Sequence, residues 1–204
     1  MNRYDFSMPG TRASSPRSNR AYAGRHRFQH WYRDNQVYFI TSRCAGRFPA
    51  FADESAKQVF WRQFDRYVAG CGFVPWVTSL LDNHYHTVGY LRRGDRLGPM
   101  MQRLHGSVAK LVNDQLEARL RPFWSEKKDG GYFDGCLRDE KQARLAYGYV
   151  ERQGVRHGLV KPGESYPHTR VHVTMTAAIR RASELRAFLY GVRYKRYMDG
   201  SHGG

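Results

Sequence analysis

Two strand-like runs, Phe73 to Leu81 and His84 to Leu91, are separated only by Asp82-Asn83, and this spacing constrains the fold more than any other feature. Aromatic and β-branched residues are frequent in both runs, and so short a turn joins them as an antiparallel hairpin. Pro75 has no N–H to give a ladder, so its run is expected to lie at an edge or carry a bulge. Gln36 to Ser42 reads as a further strand. Phe60, Phe64, Tyr67 and Val68 recur at helical spacing within Asp53 to Ala69, with Gly70 and Gly72 as the stop. Arg92-Arg93-Gly94-Asp95 breaks the sheet. Leu97, Met101, Leu104, Val108 and Leu111 then mark a long helix packed by one stripe. Pro122, Gly130 and Gly131 indicate a loop holding Phe123, Trp124 and Tyr132. A third helix is expected from Asp139 to His157, stopped by Gly158, and another within Thr174 to Tyr190. The order predicts an α+β fold: a small antiparallel sheet with helices on one face and the other face free for a ligand.

A chain of 204 residues suits one domain with tails. Residues 1–35 read as a flexible basic arm, 36–168 as the main domain, and 169–204 as a C-terminal helical extension or tail. No repeat of solenoid length is visible. The apolar runs, such as Val37 to Ile40, are far too short for the ~20 residues of a spanning helix, so no membrane partner is expected. Cys44, Cys71 and Cys136 are widely spaced without a C-x-x-C pair, which favours a reducing compartment over a disulfide scaffold or a cysteine zinc site. The basic arm lacks a secretion-signal core, so the expected location is cytoplasmic.

Charge narrows the partners. The formal net charge is +16, and twenty-seven of the thirty-four cations are Arg. The planar guanidinium fork matches phosphate oxygens, and such an excess is the usual footprint of a nucleic-acid partner. Arg-rich codon usage would give the same composition without one. The arginines expected to meet DNA are Arg25 and Arg27 on the arm, Arg43, the pair Arg92 and Arg93, Arg121 and Arg156.

Residues two apart on a strand share a face, so His84 and His86 can both reach one metal ion. An H-x-H pair alone equally describes two histidines on a half-buried sheet. In the third helix, Ala143, Ala146, Tyr147, Val150 and Gly154 form a core stripe, while Tyr149, Gln153 and Arg156 share the adjoining ridge. Alone, that ridge would be a partly buried Tyr with two solvated neighbours.

Taken together, Asn83-His84-Tyr85-His86 and the segment from Tyr149 through Val150, Gln153, Val155 and Gly158-Leu159-Val160 resemble the single-tyrosine HUH transposases, most closely the REP-associated tyrosine transposases. That family carries Asn before His-hydrophobic-His, then a helix of the form Tyr-Ile-x-x-Asn-Pro-Val-x-x-Gly-Leu-Val. Tyr38 to Arg43 resembles its first strand and Arg121-Pro122-Phe123-Trp124 its aromatic loop, so the likeness spans roughly residues 36 to 168. Gln153-Gly154 replaces the family's Asn-Pro. The resemblance implies the ferredoxin/RRM-like HUH endonuclease fold and a DNA-nicking and strand-transfer enzyme. Tyr149 would be the nucleophile, forming a 5′-phosphotyrosine, and His84, His86 and Gln153 would bind Mg²⁺ or Mn²⁺. The implied substrate is single-stranded or hairpin DNA from repeats at a bacterial nucleoid; the oligomeric state stays open, with a monomer favoured.

Two other readings stay open from the residues. A basic α+β sheet with exposed aromatics would suit a non-catalytic single-stranded nucleic-acid-binding protein, although no Lys/Arg-Gly-Phe/Tyr-Gly-Phe motif lies on a strand. A metal-dependent hydrolase would use a metal-activated water and leave Tyr149 incidental.

Overall fold

Alternation along the first strand sets the architecture. In β1 (Gln36–Arg43), Tyr38 and Ile40 point to one side and Val37 and Phe39 to the other, and all four are buried. A sheet apolar on both faces requires cover on both. The computed structural model describes residues 32–125 and 131–188. After β1 come α1 (Glu54–Cys71), β2 (Phe73–Leu80), β3 (His84–Leu91) and α2 (Leu97–Asn113). The second half supplies β4 (Tyr132–Leu137), α3 (Glu140–Glu151), the short α4 (Gln153–Arg156), β5 (Thr169–Val171) and α5 (Met175–Glu184). The five strands form one antiparallel sheet in the order β4-β1-β3-β2-β5.

The expected hairpin is β2–β3, and its register slips between Pro75 and Val77, so the proline sits at a bulge. Helix α1 ends where Gly72 adopts φ 73°, a left-handed cap that glycine takes without a Cβ penalty. Asp139 caps α3 by accepting from the Gln142 amide, while the Gln142 side chain accepts from Arg138 N–H.

The antiparallel α+β architecture is the one expected, but the helix placement differs. Helices α1 and α2 seal one face over Phe60, Phe64, Tyr85, Leu104 and Val108. Helix α3, with α5, covers the other through Ala143, Ala146, Tyr147, Val150, Ala178 and Ile179. Neither face is left open along its length. The third helix also ends earlier than expected, breaking at Arg152 before α4. Strands β4 and β5 were not expected; β5 joins β2, so residues 169–184 contribute a strand and a helix to the same sheet and core.

Among the described residues no helix is long and apolar enough to cross a membrane. Cys44, Cys71 and Cys136 form no disulfide among the described residues.

Candidate active site

The α3-covered face carries the chemistry at one end of the sheet. Strand register places Arg43 opposite His84 and Thr41 opposite His86, all on that face. His84 and His86 are buried, with ring centroids 5.0 Å apart. Tyr149 approaches from α3: its ring lies 5.2 Å from that of His86, edge-on. Phe39 of β1 stacks on His86 at 5.7 Å and meets the Tyr149 ring at 6.0 Å, filling the space beneath both. The Arg156 guanidinium lies over the Tyr149 ring, 4.7 Å from its centroid. Gln153, fully buried, donates from Nε2 to the Tyr149 carbonyl at 3.0 Å. The break at Arg152 preserves this ridge because α4 restarts at Gln153 within one turn. Gly154 is required here, since a Cβ would come within 2.3 Å of the Tyr166 Cβ.

Burial pushes the His84 imidazole down to about 3, with Arg43 and His157 adding to the effect. His86 is pushed well below its ordinary value, again mainly by burial and then by His84 and the nearby arginines. Both rings are therefore neutral, the form in which imidazole ligates metal. Asn83 Oδ1 lies 2.6 Å from His84 Nδ1 and is itself held by Nδ2 donating to the Arg47 carbonyl. That contact orients the His84 ring and leaves Nε2 as its outward nitrogen.

His86 Nδ1 and Gln153 Oε1 are buried without a hydrogen-bond partner, a costly arrangement that a cation would relieve. Gln36 Oε1 is orphaned likewise but sits at the other end of β1, opposite Leu91. Two imidazoles and one amide oxygen suit a divalent ion of the Mg²⁺, Mn²⁺ or zinc class by ligand type. Among the described residues no group of three His, Cys, Asp or Glu side chains is arranged to hold a metal.

No family model matches the sequence, and no curated protein matches it. The structure matches a solved REP-associated tyrosine transposase, bound in that structure to a REP hairpin, with a TM-score of 0.60 and 17% identity. The match covers 72% of this chain and 83% of that one. The fold is that of a REP-associated tyrosine transposase. A protein of Deinococcus radiodurans R1 also matches, with a TM-score of 0.42, 12% identity, and cover of 63% of this chain and 97% of the other.

Of the residues singled out from the sequence, the fold gathers His84, His86, Tyr149, Gln153, Arg43 and Arg156 at one place. It does not bring Arg92 and Arg93 there: they follow β3 at its far end, and Arg93 pairs with Asp95 at 2.6 Å. Arg121 is exposed on the loop before Phe123, whose carbonyl accepts from Ala45 N–H beyond the end of β1. Arg25 and Arg27 lie outside the described residues. Tyr147 is buried and donates to the Val173 carbonyl at 2.8 Å, a packing role.

Sequence reasoning missed His157 and Phe39. The His157 ring is 5.1 Å from that of His84 because the chain turns at Arg152 and again after α4. Only its place beside Arg156 hinted at this. Phe39 was detectable as the inward member of a strand alternation whose face the sequence did not fix.

Proposed function

We propose that this protein is a DNA transposase that nicks and rejoins single-stranded DNA through Tyr149. The observation that carries the reading is the convergence of Tyr149, His86, His84 and Gln153 at one end of the sheet, in a chain with a transposase fold. The hairpin seen bound to the structural neighbour supports hairpin-containing repeat DNA as the substrate.

His84, His86 and Gln153 would hold a divalent cation, Mg²⁺ or Mn²⁺, which when bound supplies charge neutralisation at the phosphoryl oxygens. Arg43 and Arg156 bind and orient the phosphate from either side, as expected of guanidinium groups on phosphate oxygens. Tyr149 Oη attacks phosphorus, and the bond from phosphorus to the 3′ oxygen breaks. The phenol loses its proton as the new bond forms, and the departing 3′ oxygen gains one. The 5′-phosphotyrosine keeps the phosphodiester energy, so a second 3′-hydroxyl can reverse the step and join a new strand. Packing of the Tyr149 ring between Phe39, His86 and Arg156 fixes the nucleophile's direction, the entropic part of the catalysis.

The test is a denaturing gel of labelled hairpin and single-stranded DNA incubated with the protein and Mn²⁺. A covalent adduct is expected from wild type and Tyr147→Phe, and none from Tyr149→Phe, which lacks the attacking oxygen but keeps the ring. An adduct from Tyr149→Phe would move the nucleophile elsewhere. Metal-dependent cutting without an adduct would favour a hydrolase, and binding without cutting a passive single-strand binder.

A further inference from the structure

Helix α4 is only four residues long, too short to hold its own shape, yet it carries Gln153, whose side chain is fully buried. The chain bends at Arg152 just before it, so α3 does not run on through Gln153. Something outside α4 has to fix it. The segment between α4 and β5 does so from one side. Tyr166 Cβ and Cγ, with Val160 Cγ2, fill the space that a side chain at Gly154 would take. Without that side chain, the tyrosine rests against the α4 backbone, one residue from Gln153.

Tyr166 is itself firmly held. Its ring meets the His168 ring edge-on at 5.5 Å, and its carbonyl accepts from Thr169 N–H at 2.9 Å. His168 is tied to three partners. Its carbonyl accepts from Leu80 N–H at the end of β2, 2.9 Å away. Its Nδ1 accepts from the Trp61 indole at 3.4 Å, and its Nε2 lies 3.0 Å from the Glu54 carboxylate. With Nδ1 accepting, Nε2 carries the proton donated to Glu54. Two residues on, the Arg170 guanidinium lies 3.9 Å over the Trp61 ring and pairs with Asp65 at 3.1 Å. Glu54, Trp61 and Asp65 all belong to α1. A continuous line of contacts therefore runs from α1, on the other face of the sheet, round the end of β2 to α4.

We infer that Tyr166 is a positioning residue for Gln153, transmitting the rigidity of α1 and β2 to the short helix that carries the amide. Held in this way, Gln153 Nε2 stays on the Tyr149 carbonyl, and Oε1 is the atom left to face a ligand. The amide cannot exchange its oxygen for its nitrogen without losing that hydrogen bond. The inference rests on the metal reading proposed above for His84, His86 and Gln153, but the hold on Gln153 is observable without metal. Contacts that orient a ligand from outside commonly set metal affinity by an order of magnitude or more.

The experiment uses the full chain and Mn²⁺, with the free ion read by electron paramagnetic resonance. Tyr166→Ala removes the ring that bridges Gly154 and His168 and is expected to weaken Mn²⁺ about tenfold. Tyr166→Phe keeps the ring and should bind as wild type. In a Gln153→Ala chain, Tyr166→Ala should cause no further loss, because it acts through the amide that is already gone. Wild-type affinity in Tyr166→Ala, or an equal further loss in the Gln153→Ala chain, would overturn the inference. Should Tyr166→Ala fail to fold, Gly154→Ala pushes on the same contact from the other side. It should give the same loss, again only where Gln153 is present, and wild-type affinity there would overturn the inference equally. The metal-free readout is proton exchange at the Gln153 side-chain amide by NMR, expected to be about tenfold faster in Tyr166→Ala than in wild type. Equal exchange rates would sink the positioning role whatever the metal does. A wild-type chain that takes up no Mn²⁺ would remove the metal reading alone, and faster exchange in Tyr166→Ala would still keep Tyr166 as the residue that seats Gln153.

Discussion

Two buried histidines, one on each face of the sheet, differ in a way that locates the chemistry. His105 of α2 sits behind β3, with Nε2 2.9 Å from the Tyr85 hydroxyl and its ring stacked on Trp124 at 4.3 Å. The Trp124 indole N–H donates to the His105 carbonyl. His86, next in the chain to Tyr85 but pointing the opposite way, is equally buried, and its Nδ1 has no partner. One histidine completes a network; the other waits for something the chain does not supply. His86 Nδ1 and Gln153 Oε1 are both unsatisfied at the active end of the α3-covered face, whereas Gln36 Oε1, the one such atom on the face of His105 among the described residues, lies at the far end of β1. Buried polar atoms left without partners at a candidate site favour binding there.

Replacing each histidine by an apolar residue should have opposite consequences on the two faces. His105→Leu leaves the Tyr85 hydroxyl buried and unpaired and removes a ring stack, costing about 2–4 kcal/mol in urea unfolding. Any cleavage should survive wherever that variant remains folded. His86→Leu removes an orphaned polar atom, so stability should stay within about 1 kcal/mol of the parent while metal-dependent cleavage disappears. If His86→Leu proved the more destabilising, or still cut DNA, the distinction between the two faces would fail.

Acid sharpens the contrast further. Burial holds the folded His105 imidazole at about 3, well below its ordinary value. Between that value and about 6.5 the unfolded chain binds the proton and the folded one does not, so stability falls as pH falls through that window. The contribution is fully present above about 6.5. His105→Leu should therefore show a shallower acid slope, by up to about 1.4 kcal/mol per pH unit between pH 6 and 4. Urea midpoints across that range give the slope, and identical slopes would mean His105 is accessible to protons in the folded state.

The same contrast explains what was legible in the sequence. The His84 and His86 pair is local: period-two geometry in a recognisable strand puts both on one face without tertiary information. Tyr149, Gln153 and Arg156 were equally legible as one ridge, and the ridge survives the break at Arg152. Which sheet face α3 would cover was not legible, because an apolar stripe reports that a helix is buried and not against what. Strand β4 was hidden by Asp134 and Gly135 in its middle, and β5 by being three residues long. His157 reaches the site only through turns flanking α4.

The smallest expected effect concerns Arg43, which belongs to the functional end of the sheet yet contributes little to its packing. Its side chain is exposed, so Arg43→Ala should leave urea unfolding within about 0.5 kcal/mol of wild type. On DNA, one lost phosphate contact reduces the slope of log affinity against log salt by about 0.7 for a single strand. Arg93→Ala provides the control. Arg93 is already paired with Asp95 at the far end of β3, so its removal should leave the slope nearly unchanged. Titrations of a labelled single strand at four salt concentrations resolve the difference. Equal slopes for the two variants would mean that phosphate does not distinguish the two ends of β3, and the functional end would have to be sought elsewhere.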